Sequence, residues 1–185
     1  MSIVRALILS AAVTLALPAV APGQSIVALG VAAGATVPAG GLGDRTSSGY
    51  HAMVTMSVHA PLTPFTLRGE GMFNQLDYND KSGPGGGAVR KPISSNARVW
   101  AATANAMFTF SPVLGPYVIG GLGYYRTTEV DLSSGGTSSS NAAGGNIGAG
   151  FRLALTGFSI YGEARYHWLS GTDVRIVPLS VGITF

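Results

Sequence analysis

Apolar and polar residues alternate along much of this chain with the period of two that is typical of β-strands. The last segment is the clearest case, because Val177, Leu179, Val181, Ile183 and Phe185 all fall on one face of a strand. Two segments, the first and the fifth, contain too much glycine for the alternation to assign their faces. In all, the pattern predicts eight strands, at about 26–36, 49–60, 64–76, 97–110, 115–128, 145–155, 157–168 and 174–185.

The connections between these predicted strands alternate between short turns and long segments rich in Gly, Ser, Asn and Asp. An up-and-down barrel of an outer membrane has short periplasmic turns and longer external loops. An even number of strands then puts both termini and all the short turns on one side. The short turns are predicted at 61–64, 111–116 and 155–157, and the long connections at 37–48, 77–96 and 129–144, with 169–173 as a shorter fourth.

Composition indicates a membrane protein that crosses with strands. Of the 185 residues, 46% are hydrophobic and only 10% are charged, where a soluble domain has about 25% charged residues. Beyond residue 22 no apolar run reaches the roughly 18 residues of a spanning helix. Only helices and closed barrels satisfy every backbone group in lipid. The sequence therefore predicts an all-β, eight-stranded, antiparallel up-and-down transmembrane β-barrel over residues 26–185.

The first 21 residues have the pattern of a cleaved signal peptide. Arg5 supplies a positive charge, residues 6–17 form a short apolar core, and Ala19-Val20-Ala21 fits a cleavage site. A retained membrane anchor is the alternative. Export through such a peptide predicts a place in the outer membrane.

Charge and cysteine content exclude several classes of function. The chain has 11 basic and 8 acidic residues without a basic stripe, so we expect no nucleic-acid partner. It has no cysteine, which excludes disulfides and thiolate metal sites. We predict no cofactor and no metal.

The charged faces of the strands must point inward, because an Arg or Lys facing lipid at mid-depth costs roughly 2–4 kcal/mol. The outward face then carries aromatic residues at two levels, as the two membrane interfaces favour. Near the long connections these are Tyr50, Phe73, Trp100, Tyr124, Tyr166 and Trp168, and near the short turns Phe65, Phe108, Phe110, Phe158 and Phe185.

The terminal strand RIVPLSVGITF and the preceding TGFSIYGEARYHWLSGTD resemble the OmpA/OmpX-like family of small outer-membrane barrels. The resemblance covers residues 26–185. It implies that Phe185, as the last residue, is part of the signal read by the outer-membrane assembly machinery. It does not imply one activity, because small barrels of this kind serve as adhesins, scaffolds and enzymes.

Five charged residues fall in the inward phase: Arg68, Glu70, Arg152, Glu163 and Arg165. An eight-stranded barrel is only wide enough for side chains to fill it. We therefore expect an interior ion-pair network, because charges inside a membrane normally pair with one another. A gated path for protons or ions is the functional alternative.

Arg98, Arg126 and Arg175 fall in the outward phase just beyond the outer aromatic residues, and Arg90 and Lys91 lie in the neighbouring connection. Arginine binds phosphate with two parallel hydrogen bonds. The three arginines are therefore candidates for contacts with lipopolysaccharide phosphates. Ordinary rim charges that reach toward water are the alternative.

Candidate catalytic residues do not combine into a predicted active site. Lipid A deacylase barrels carry a His and a Ser two residues apart, whereas His167 and Ser170 are three apart and on opposite faces of a regular strand. His51 and His59 are roughly 26 Å apart along one strand and cannot share a metal. We predict no catalytic residue and polar filler roles for these histidines.

The long connections contain almost no apolar residues, as in 81–89 and 132–145, so we expect them to be disordered or to order on binding. The sequence thus predicts a non-enzymatic outer-membrane barrel with a role in envelope integrity or in binding an external partner through its loops. Alternatives are a lipid A-modifying enzyme, a carrier or pore for small apolar solutes, and a soluble lipocalin-like binder.

Overall fold

The computed structural model describes residues 26–42, 47–77, 96–111, 114–131 and 136–185. It is a closed barrel in which antiparallel strands pair in chain order and the last pairs with the first. The predicted signal peptide at 1–21 and nearly all of the predicted loop at 77–96 lie outside the described residues. The strands are β1 Val27–Ala39, β2 Gly49–His59, β3 Phe65–Asp77, β4 Asn96–Thr109, β5 Leu114–Asp131, β6 Gly136–Leu155, β7 Phe158–Leu169 and β8 Arg175–Thr184.

Burial alternates along the strands, with polar residues inside and apolar residues outside. In β2, His51 and Thr55 are buried, whereas Val54 is 61% exposed. The glycine-rich strands follow the same rule, because Leu29 of β1 faces outward and Tyr117 of β5 faces the lumen. An apolar outer surface around a polar interior is the pattern of a membrane barrel. The prediction of a closed, antiparallel, eight-stranded barrel is confirmed.

Tight turns join the strands at one end of the barrel. They lie between β2 and β3 and between β6 and β7, where Gly157 has φ of 86°. The connection between β4 and β5 at the same end spans only residues 110–113, of which 112 and 113 are outside the described residues. Both the start of β1 and the end of β8 lie at this end. Across the described ranges, no helix has the length and apolar character needed to cross a membrane.

The predicted loop at 129–144 is wrong over most of its length. All 18 residues of β5 are in register with β6, from Leu114↔Leu153 to Asp131↔Gly136. Residues 136–141 are all exposed, so this part of the segment needs no apolar face, and backbone pairing with the β-prone residues 125–130 keeps it extended. The predicted loop at 37–48 also begins later, because β1 continues to Ala39 and a 3-10 helix covers Gly40–Leu42.

Candidate functional site

The extracellular end of the lumen is closed by apolar side chains. Leu76, Val99 and Ile176 are fully buried there, and Leu169 is 4% exposed. They come from the extracellular ends of four strands and pack in one cluster. The alternation along the strands predicts that these side chains point inward. The prediction for the lumen named only charged residues, however, and did not include this apolar cap.

A layer of neutral hydrogen bonds lies below the cap. The His51 ring bonds Thr36 Oγ1 through Nδ1 at 3.0 Å and Ser180 Oγ through Nε2 at 2.8 Å. Thr36 in turn donates to Asn74 Oδ1 at 2.8 Å. This layer ties β1, β2, β3 and β8 together, and it gives His51 the polar filler role that its sequence position predicts.

Four of the predicted interior charges form a closed arrangement across the middle of the lumen, which we call the ion square: Arg68, Glu70, Glu163 and Arg165. Each guanidinium contacts both carboxylates, at 2.5–2.6 Å, and all four side chains are at most 4% exposed. The contacts of Arg68 with Glu163 and of Arg165 with Glu70 also have hydrogen-bond geometry. Two arginines and two glutamates leave the square with no net charge.

The order of the charges along the two strands explains why the square closes. β3 carries Arg68 then Glu70, and β7 carries Glu163 then Arg165. The two strands are four apart in the barrel and run in the same direction, so they face each other across the lumen. Each arginine then meets a glutamate at its own level and another on its own strand.

Neutral donors complete the coordination of the two carboxylates. Tyr117 donates to Glu163 Oε2 at 2.7 Å, and Thr103 donates to Glu70 Oε2 at 2.9 Å. Arg68 also lies over the ring of Tyr161, 5.5 Å from its centroid. The square is therefore held by strands β4, β5 and β7 as well as by its own charges.

Arg152, predicted as the fifth member of the network, does not join the square. It lies at the periplasmic end, where its Nη2 donates to Ser159 Oγ at 2.9 Å and its Nη1 lies 3.3 Å from His59 Nε2. In the described part of the chain it has no carboxylate partner. The prediction failed because inward phase gives the face of a residue but not its depth in the lumen.

The three outward arginines do not form one group. Trp100 on β4 pairs with Arg126 on β5, and Arg98 lies two residues before Trp100 on β4, so the two arginines are diagonal neighbours on the outer face. Arg175 is on β8, beside Trp168 of β7 and on the opposite side of the barrel. Arg98, Arg126 and Arg175 are all exposed.

The remaining sequence candidates occupy separate places. His167 is fully buried in the lumen, and its Nδ1 lies 2.9 Å from the Tyr125 hydroxyl. Ser170 is exposed in the turn after β7, so the two are not in a common site. Phe185 is 46% exposed on the outer face, and its backbone exchanges two hydrogen bonds with Leu29 of β1.

Comparisons with known proteins agree with this geometry. The family model described as outer membrane protein beta-barrel domain matches residues 6–185. In sequence, no curated protein matches the chain.

Among solved structures, Neisserial surface protein A is similar at a TM-score of 0.62 and 17% identity, over 88% of this chain and 97% of that one. A major outer membrane protein of Thermus thermophilus matches at a TM-score of 0.55 and 17% identity, over 87% and 99%. Ail of Yersinia pestis, in complex with the heparin analogue sucrose octasulfate, matches at 0.51 and 15% identity, over 87% and 100%. These likenesses concern the fold.

Proposed function

Because the chain belongs to the outer membrane protein beta-barrel family and lies in the outer membrane, we propose that it is a non-enzymatic protein that binds an external partner at the cell surface. The proposal rests on the extracellular hairpin that β5 and β6 form. The partner is an extended segment of another protein, which adds a strand to the free edge of β6.

The free edge exists because β6 is longer than its neighbour β7. The last register pair of the two strands is Gly144↔Leu169, and the last backbone hydrogen bond runs from Ser170 N to Ala143 O at 2.8 Å. Beyond it, residues 137–142 pair with β5, and no other described strand pairs with them. This six-residue edge is about 20 Å long at the usual strand rise.

The composition of this edge favours binding. Proteins usually protect an exposed strand edge with charge or proline. Residues 137–142, TSSSNA, contain neither, and residues 137–141 are exposed. Such an edge offers backbone donors and acceptors to an incoming strand, which is the mode of recognition called β-augmentation.

Alternation of the backbone identifies the groups that an added strand would use. In an antiparallel pair, successive residues direct their N–H and C=O groups to opposite sides. Since Ala143 O bonds toward β7, the N–H groups of Thr137, Ser139 and Asn141 point to the free edge. Ser139 lies in the middle of this set.

The test compares two substitutions of Ser139 in cells that display the full chain, with a labelled synthetic peptide of alternating Thr and Val residues as the probe because it is an extended, β-prone segment. Ser139→Pro removes the edge donor, whereas Ser139→Ala removes only the hydroxyl. We expect binding to fall about tenfold or more for proline and to be unchanged for alanine, with both variants inserted as judged by heat-dependent gel mobility. Equal binding by wild type and Ser139→Pro would refute strand addition.

A variant with a shortened β5–β6 hairpin tests for a separate role in envelope integrity. In this variant a short turn joins residues 127 and 140. If the trimmed barrel inserts and restores the detergent resistance of a deletion strain, the barrel wall carries that phenotype. If it inserts and does not restore resistance, the phenotype belongs to the hairpin. Support for a non-enzymatic role comes from the separation of buried His167 and exposed Ser170.

We also propose that Arg98 and Arg126 bind phosphates of lipopolysaccharide. This proposal is supported by the positions of the two arginines, which are exposed and are diagonal neighbours beside Trp100 at the external rim. Arg98→Gln with Arg126→Gln should lower the lipopolysaccharide that co-purifies with the barrel, measured as bound phosphate. Arg175→Gln is the matched control on the other side of the barrel, and an equal loss in that control would contradict a specific pair.

A further inference from the structure

The periplasmic end of the lumen contains a cavity just below the ion square. Its volume is about 20 Å³, and each of the eight strands contributes at least one lining residue. A cavity of roughly 10–15 Å³ already holds one water-sized group. The ion square and the apolar cap close the lumen above it, so a ligand enters from the periplasm.

Four polar atoms of residues that line this cavity have no hydrogen-bond partner among the described residues: His59 Nδ1, Arg68 Nε, Arg152 Nε and the Tyr161 hydroxyl. Arg68 Nε is in an ion pair with Glu70, and His59 Nδ1 can donate or accept according to its tautomer, so the two donors without any partner are those of Arg152 and Tyr161. Tyr161 is 4% exposed and Arg152 is half-buried. Both groups are donors, and buried donors without a partner are uncommon in proteins. Their unused hydrogens indicate that the missing partner is an acceptor.

The distribution of acidic residues leaves Arg152 without a carboxylate partner among the described residues. Of its eight Asp and Glu residues, Glu70 and Glu163 are used by the ion square. The other six belong to the extracellular ends of strands or the connections there, at positions 44, 77, 80, 129, 131 and 173. The positive charge of Arg152 is therefore available to an anion from outside the chain.

We propose that this cavity binds an anionic oxygen of a phosphate group presented from the periplasmic side, with Arg152 as its charge partner and Tyr161 as a second donor. Arginine favours phosphate because its N–H groups match the spacing of phosphate oxygens. The hydrogen bond to Ser159 and the contact with His59 fix the guanidinium and leave Nε for the ligand. The phosphate is either free in the periplasm or part of an inner-leaflet phospholipid.

The experiment uses the full barrel, labelled with ¹⁵N, in phosphate-free maltoside micelles. Amide signals of Ser57 and Thr184, which line the cavity, report binding during titration with inorganic phosphate and, separately, with short-chain phosphatidylglycerol. Sodium chloride at matched ionic strength is the reference. We expect saturable shifts with one of the two phosphate probes and none with the chloride reference.

Two variants locate the binding group. Arg152→Gln removes the charge and should weaken binding about tenfold or more, as for loss of a charged hydrogen bond. Tyr161→Phe removes only the hydroxyl and should weaken it several-fold. Arg175→Gln, at the external rim, should bind like wild type, and heat-dependent gel mobility verifies that each variant folds.

The outcomes separate the two sources of phosphate. Shifts with inorganic phosphate that Arg152→Gln abolishes support a site for free phosphate. Shifts with phosphatidylglycerol alone, abolished in the same variant, support a lipid headgroup. No saturable shift with either probe, or shifts that persist in Arg152→Gln, overturns the proposal.

Discussion

Removal of one charge from the ion square should destabilise the barrel strongly. Glu163 contacts Arg68 at 2.5 Å and Arg165 at 2.6 Å, and it accepts a hydrogen bond from Tyr117 at 2.7 Å. Glu163→Gln keeps the shape but leaves the square with a net charge of +1 among side chains that are at most 4% exposed. Breaking a buried ion pair costs about 3–5 kcal/mol. Because Gln keeps one acceptor oxygen, we expect the lower part of that range.

The assay is reversible urea unfolding of the barrel in phospholipid vesicles, followed by the fluorescence of Trp100 and Trp168. Both rings lie on the outer face, 56% and 39% exposed, so unfolding moves them from lipid to water. Asp173→Asn is the matched carboxylate-to-amide control in an exposed turn, with an expected change within about 0.5 kcal/mol.

A charge reversal tests the cross-lumen geometry itself. Exchange of the residues on β3, Arg68→Glu with Glu70→Arg, keeps the composition and the pair within the strand but puts like charges level with each other across the lumen. We expect a loss at least as large as for Glu163→Gln. A second exchange on β7, Glu163→Arg with Arg165→Glu, should recover much of it. Additive losses of the two exchanges, or a loss below about 1 kcal/mol for Glu163→Gln, would refute the reasoning.

Two further predictions concern packing and assembly. Gly182→Ala would put a Cβ against the ring of Tyr161, closer than van der Waals contact, so the same urea assay should show a loss of about 1–3 kcal/mol in unfolding free energy. Gly162→Ala is the control, because the space around Gly162 is open, and it should change stability by less than about 0.5 kcal/mol. Equal effects of the two substitutions would contradict this packing. Phe185→Ala should slow insertion by the purified assembly machinery while urea stability changes less than the insertion rate; unchanged insertion kinetics would exclude Phe185 from the assembly signal.

The sequence was sufficient to predict the fold because each strand repeats the same simple rule. Alternation of apolar and polar residues, as in β8, predicts where the eight strands lie. The low content of charged residues and the abundance of apolar ones then predict that the apolar face of each strand meets lipid. Strands β1 and β5 could not be phased alone, because glycine carries no side chain to indicate a face. Pairing with neighbours of known phase fixes them in the closed barrel.

The sequence was sufficient to predict which residue types form the candidate site, but not the level in the lumen at which each residue lies. The motifs RGE at 68–70 and EAR at 163–165 carry the ion square, and their opposite order on two facing strands was visible in the sequence. Strand tilt and register decide which inward residues share a level, and these come from pairing along the whole barrel. Arg152 was therefore grouped with charges that lie above it.

The external hairpin was missed for a different physical reason. Periodicity detects a strand through the difference between a buried and an exposed face, and residues 137–141 have no buried face. Their extended form depends on backbone pairing with β5 and on contacts such as Thr128 Oγ1 with Ser139 Oγ at 3.3 Å. A polar, charge-free segment beside a β-prone one is therefore better interpreted as a hairpin arm than as a disordered loop.

The balance of charge inside the barrel argues that its chemistry lies at its two ends. The ion square has no net charge, and it connects opposite walls of the lumen below the apolar cap around Leu76 and Ile176. Folding uses these groups fully. It does not use the outer edge of residues 137–142 at one end or the charge of Arg152 at the other. Both offer donors without a partner among the described residues, and our two proposals assign them a protein strand outside the cell and a phosphate in the periplasm.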